Sequence, residues 1–157
     1  MPTLIHINRE CIDNLDLSPA RIYIDKFLAT ETITQLPEIQ FSILYEKELG
    51  DPREFSEIPE IRLWFIYLDT VYPFLPYLLD WRTELARYTA MLVPHQFSPQ
   101  DGLIYNPEAL EIFVMNKLFT IFQWQKNRGQ TNPEKLKMMA LALGYEVDLA
   151  LFSLIKW

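Results

Sequence analysis

Apolar positions alternate with polar ones early in the chain and shift to longer periods further on. Leu4, Ile5 and Ile7, set among β-compatible neighbours, predict a first strand. Ser18-Pro19 has the form of a helix cap and first helical position. The apolar residues behind it, Ile22, Ile24, Phe27 and Leu28, fit a helix or a strand. Ile39 to Tyr45 predicts a second strand, with Ile39, Phe41 and Ile43 on one face. Asp51 to Pro59 reads as a charged turn bounded by prolines. Ile61 to Asp69 (IRLWFIYLD) is continuous and rich in aromatic and branched residues, the composition of a central strand covered on both faces. Pro73 and Pro76 then force a turn, with room for one helical turn at Tyr77 to Asp80.

Helical spacing dominates the second half of the chain. A helix is predicted from about Arg82 to Leu92, with Leu85, Tyr88 and Leu92 on one side and Pro94 as its stop. His95 to Tyr105, holding Pro99 and Gly102, reads as a loop. Asn106-Pro107-Glu108 is a strong helix start: an Asn cap, a proline where no N–H is needed, and an early acid that suits the helix dipole. This helix should run to about Asn127, before Gly129. Its stripe of Leu110, Val114, Leu118, Ile121 and Phe122 is widened by Ile112, Met115 and Phe119, as in a central helix packed from several directions. Asn132-Pro133-Glu134 repeats the start. Leu136, Met139, Ala140 and Leu143 come next at i, i+3, i+4, i+7 spacing, and Gly144 ends the helix. A last short helix is predicted over Glu146 to Ile155.

The order of elements gives an α+β fold: a small mixed or antiparallel sheet from the N-terminal half packed against several C-terminal helices. At 157 residues the chain is expected to form a single domain, 1–157, large enough to hold a core without staples. Half its residues are hydrophobic and 14% aromatic, too apolar for a disordered chain. The single cysteine, Cys11, cannot close an intrachain disulfide, which fits a reducing compartment. The first residues carry neither the basic-then-apolar pattern of a secretory signal nor the Arg- and Ser-rich pattern of a transit peptide. Ile61 to Leu79 is the longest apolar stretch, but Asp69, Pro73 and Pro76 argue against a membrane span.

Residues 1–60 hold twelve Asp/Glu and five Lys/Arg, and therefore the whole net charge of −7; the rest of the chain is neutral. An acidic half repels phosphate, which argues against nucleic-acid binding and favours solubility or steering toward a basic partner.

Catalytic and metal chemistry find little support. His6, His95 and Cys11 are scattered where a structural zinc site wants four clustered ligands. Gly50, Gly102, Gly129 and Gly144 are isolated and form no phosphate loop. Cys11 has no histidine near it in sequence to act as a base. His95 has Asp80, Glu84 and Asp101 within reach in sequence, and a His–carboxylate pair is the acid–base alternative. Glu111 falls inside the apolar arc of its helix, so a buried carboxylate there would need a cation, Arg82 or Arg87. Arg87 can also pair locally with Glu84 on a solvated face. The rings of Trp64, Phe65, Tyr67, Tyr72, Phe74, Tyr77 and Trp81 read mainly as core. The proline-bent turn Tyr72 to Tyr77 is the place where exposed rings would form a protein contact.

Three strings are more specific than any short motif: RLWFIYLDTVYPF, LPYLLDWRTELARYTAMLVPHQFS and GLIYNPEALEIFVMNKLF. They resemble the chlororespiratory reduction 6 family of cyanobacteria and chloroplasts over residues 51–124. The resemblance implies an assembly factor for the photosynthetic NAD(P)H dehydrogenase-like complex, which supports cyclic electron flow. It implies action on the peripheral arm, with the ferredoxin-like iron–sulfur subunit as protein partner. It carries over no catalytic residue, cofactor or metal, so the expectation is a protein that is not an enzyme. Its compartment would be the cyanobacterial cytoplasm, or the stroma in chloroplast relatives. Candidate partner contacts are Tyr72, Phe74, Tyr77, Trp81, His95, Gln96 and Phe97. Two alternatives stay open: a small enzyme with a His–carboxylate site, and a permanent accessory subunit of the same complex.

Overall fold

The computed structural model describes residues 2–29 and 38–155. The chain divides into two compact units, residues 1–92 and 93–157. Among the described residues, helices and two small sheets make it α+β, as the sequence predicts.

The first unit opens with strand β1 (Thr3–Asn8), a short helix α1 (Arg9–Asp13) and helix α2 (Ser18–Leu28), followed by strand β2 (Ile39–Leu44). The ambiguous segment after Ser18 is thus helical, with Pro19 in its first turn. β1 and β2 pair in parallel, in unbroken register from Thr3 opposite Ile39 to Asn8 opposite Leu44. The N-terminal sheet is therefore parallel rather than mixed or antiparallel, because α1 and α2 lie in the connection and a crossover returns the chain in the same direction. Ile5, Ile7, Ile39, Phe41 and Ile43 share the buried face.

The charged turn before residue 59 contains a turn of 3-10 helix (Phe55–Glu57), where Glu54 and Glu57 form a capping box. Helix α3 (Pro59–Val71) comes next, where the sequence suggests a strand. Pro59 sits in its first turn, where its missing N–H costs nothing. Ile61, Trp64, Phe65 and Leu68 are all buried, at i, i+3, i+4, i+7 spacing. The strand reading fails because this helix is apolar on its outer face too, and a run apolar on both faces hides its period.

Pro73 and Pro76 bend the chain into a second 3-10 turn (Leu75–Leu78), and helix α4 (Leu85–Leu92) completes the unit. α3 and α4 pack together. Phe65 stands edge-on to Phe41, Trp64 and Tyr88, with ring centroids 5.2, 5.0 and 6.3 Å away.

The second unit begins with an antiparallel hairpin, β3 (His95–Ser98) and β4 (Gly102–Tyr105), where the sequence suggests an open loop. Pro99 sits inside its turn, and Gly102 closes it by pairing with Ser98. Ser98 Oγ accepts the N–H groups of Gln100 and Asp101 at 3.3 Å, and Gly102 takes φ of 74°, a value glycine adopts without strain. Helix α5 (Pro107–Asn127) starts where expected, with Asn106 Oδ1 accepting from the N–H groups of Glu108 and Ala109. Helix α6 (Pro133–Ala142) is capped in the same way by Asn132. Gly129 and Gly144, both at positive φ, lie just past the two helix ends. The last helix, α7 (Ala150–Leu154), is shorter than the predicted span. Val114, Leu118, Ile121, Phe122, Leu136, Met139, Ala140 and Phe152 are buried in this unit. Ile112 is not: it points outward, so the apolar stripe of α5 is narrower than the sequence suggests.

Candidate functional site

The DWRTELAR segment serves β2. Asp80 N–H donates to the Ile39 carbonyl at 3.0 Å, and Leu79 makes a parallel bridge to Ile39. One turn on, Glu84 Oε1 accepts the Phe41 N–H at 3.0 Å, and Arg87 Nη1 donates to the Phe41 carbonyl at 3.0 Å. Gln40 Nε2 donates to Asp80 Oδ2 at 2.8 Å. A stretch of main chain and two side chains thus occupy the β2 edge where a third strand would otherwise pair.

Glu84 is buried and Arg87 half-buried, with 3.6 Å between Arg87 Nη1 and Glu84 Oε1. The local pair foreseen for them exists, but as a clamp on β2 rather than on a solvated face. Burial raises the Glu84 pKa, against the Phe41 N–H and the Arg87 charge, which favour the ionised form. Asp80 shifts the other way, held down first by the Gln40 hydrogen bond. Glu111 is exposed, which removes the need for a cation from Arg82 or Arg87.

Tyr72, Phe74 and Tyr77, placed among the partner contacts by sequence, are 5, 9 and 5% exposed. Their turn is folded inward: Tyr72 Oη donates to Asp25 Oδ1 at 2.8 Å, and the Tyr72 and Phe74 rings meet edge-on. These three rings present almost no surface, because the two prolines bend the turn onto the unit rather than away from it. Trp81 is half-buried, its Nε1 donating to the Pro76 carbonyl at 2.8 Å. In the second unit His95 is half-buried, with Nδ1 3.0 Å from the Val93 carbonyl and its ring edge-on to Tyr105. Burial pushes the Tyr105 hydroxyl up to about 12. Gln96 and Phe97 are exposed on β3.

A surface that the strand reading concealed lies on α3. Leu63, Ile66, Tyr67 and Val71 are 51, 42, 43 and 37% exposed. Their spacing places them on one outward stripe, with the exposed Glu60 at its start. The signal was present in the sequence as two interleaved helical periods, 61-64-65-68 and 63-66-67-71. The clamp on Phe41 had no such signal, since it joins residues 43 and 46 positions apart.

Among the described residues, no cluster of three or more His, Cys, Asp or Glu could hold a metal, and no helix is long and apolar enough to cross a membrane. An open depression of about 580 Å³ in the second unit is lined by Lys137, Leu141, Glu146, Val147 and Asp148.

No solved structure matches the chain. A family model described as chlororespiratory reduction 6 matches residues 7–154, nearly the whole sequence and well beyond the strings that first suggested it. The matched span takes in both the clamp on β2 and the hairpin of the second unit, and the chain belongs to the chlororespiratory reduction 6 family.

Proposed function

We propose that this protein is an assembly factor for the photosynthetic NAD(P)H dehydrogenase-like complex, binding the ferredoxin-like iron–sulfur subunit of the peripheral arm until it docks, and that it is not an enzyme. The family name ties the chain to chlororespiratory reduction. One observation carries the reading further. Asp80, Glu84 and Arg87 of the signature segment are engaged within the fold, while apolar side chains stand outside it on α3. A contiguous exposed apolar stripe beside charged positions is the mark of a protein contact.

The acid–base alternative requires a carboxylate able to serve His95. Asp80 and Glu84 instead hold Gln40 and Phe41, and Asp101 stands exposed in the hairpin turn. Of the contacts read from sequence, Gln96 and Phe97 remain, with Trp81 and His95 at the margin. We place the protein in the cyanobacterial cytoplasm, and in the stroma for chloroplast relatives.

Deletion of the gene, followed by native-gel separation of the dehydrogenase complex and its intermediates, tests this reading. The expected result is loss of the mature complex, with the iron–sulfur subunit missing from the peripheral-arm intermediate. The factor itself should migrate with an intermediate and not with the finished complex. A normal complex in the deletion strain would refute the proposal, and co-migration with the finished complex would favour a permanent subunit.

A further inference from the structure

The two edges of the β1–β2 sheet are finished differently. In a parallel pair, alternate residues turn their N–H and C=O groups toward opposite edges. Thr3 N–H donates to the Glu38 carbonyl at 2.8 Å, which sets Thr3, Ile5 and Ile7 to face β2. Leu4 and His6 therefore turn their backbone groups to the outer edge.

On β2 the edge is closed over Ile39 and Phe41: the Ile39 carbonyl by Asp80, and both groups of Phe41 by Glu84 and Arg87. Among the described residues, no hydrogen bond closes the backbone groups of Leu4 and His6, and both residues are exposed. Proteins blunt an open edge with lysine, proline, a bulge or a very short strand. β1 (TLIHIN) is six residues long, with none of these inside it and an unbroken register.

We propose that the outer edge of β1 receives an extended, basic segment of the partner protein, which adds to the sheet as a third strand. This rests on the assembly-factor reading and specifies how the partner is held. Donors and acceptors presented by alternate residues recognise another extended backbone. The charge of the segment follows from its surroundings. Glu38 stands exposed before β2, Glu10 and Asp13 on α1 just after β1, and Glu46 and Glu48 just after β2. Two cations stand at that end, Arg9, which pairs with Asp13 and donates to the Glu46 carbonyl, and Lys47, which donates to the Arg53 carbonyl; they offset two of these five acids and leave the surroundings acidic. A lysine- or arginine-bearing strand complements this edge, and an acidic one is repelled by it.

Amide hydrogen exchange, measured by NMR on the full chain alone and saturated with the iron–sulfur subunit, tests the proposal. The Ile5 and Ile7 amides should exchange slowly in both states. Those of Leu4 and His6 should exchange fast in the free protein and slow by about tenfold or more in the complex. Leu4→Pro and His6→Pro remove an edge N–H that the sheet does not use, and should each raise Kd about tenfold or more. If either variant fails to fold, the exchange pattern of the unaltered protein decides alone. A complex that forms with the Leu4 and His6 amides still fast overturns the edge proposal and leaves the assembly reading standing. Failure to form any complex overturns both.

Discussion

Replacing Trp64 with alanine is expected to destabilise the first unit by about 3–5 kcal/mol, the cost of emptying a large buried aromatic site. The indole is fully buried, edge-on to Phe41 at 6.4 Å and Phe65 at 5.0 Å. Its Nε1 also donates to the Asp16 carbonyl at 2.9 Å, tying α3 to the bend after α1. Loss of the ring removes the packing and leaves that carbonyl without its donor. Against a typical domain stability of about 5–15 kcal/mol, this is a large fraction. Tyr67→Ala, three residues on and facing outward, should change stability by only about 0.5 kcal/mol. Denaturant titration of both variants checks the pair. A strand covered on both faces would make both substitutions costly, so equal losses would contradict the helical assignment of this segment.

The second large effect concerns Glu84. Glu84→Leu leaves the Phe41 N–H with no acceptor and Arg87 with no counter-charge. A buried amide left unmade costs about 1–3 kcal/mol, and the half-buried arginine adds to this. Glu84→Gln keeps an oxygen for Phe41 and removes the charge, so it should cost much less.

The two variants also differ from the parent in pH dependence. Burial raises the folded Glu84 pKa above its ordinary 4.5. Between the unfolded and the folded pKa the native state binds more protons than the unfolded chain, so this group's contribution falls as pH rises through that window. Asp80, with a lowered pKa, acts oppositely: its contribution is present above its unfolded pKa and is lost as pH falls through the folded one. Glu84→Gln should therefore remove the loss on the alkaline side of pH 4.5 while keeping the acid-side loss from Asp80. Urea midpoints between about pH 3 and 7 measure this. An unchanged profile in Glu84→Gln would contradict the buried clamp.

Local chemistry was legible in this sequence wherever a residue acts on its own neighbours. Asn106 and Asn132 cap the helices they precede, and Gly129 and Gly144 stand past helix ends at positive φ. The alternation of Ile39, Phe41 and Ile43 marks a half-buried strand, and the structure has one. Misreadings came where two patterns overlap. IRLWFIYLD carries an inner and an outer apolar stripe, and their sum looks like a continuous strand. Pro99 and Gly102 are breakers in any reading, and only the pairing of His95 with Tyr105 and Ser98 with Gly102 turns the segment into a hairpin. The parallel sense of the first sheet depends on a crossover, which no short window of sequence records. The site was legible only in outline. The aromatic turn of the signature strings proved to be core, and the role of Glu84 and Arg87 depends on a strand more than 40 residues away.

The central claim is that this protein works by contact, through the apolar stripe outside α3. Its most direct test is the affinity of the purified iron–sulfur subunit for the unaltered chain and for the double variant Leu63→Asp/Tyr67→Asp, at matched thermal stability. The account predicts a Kd at least about tenfold weaker for the double variant, the scale expected when central apolar contacts are lost. Equal affinities in two folded proteins would contradict it.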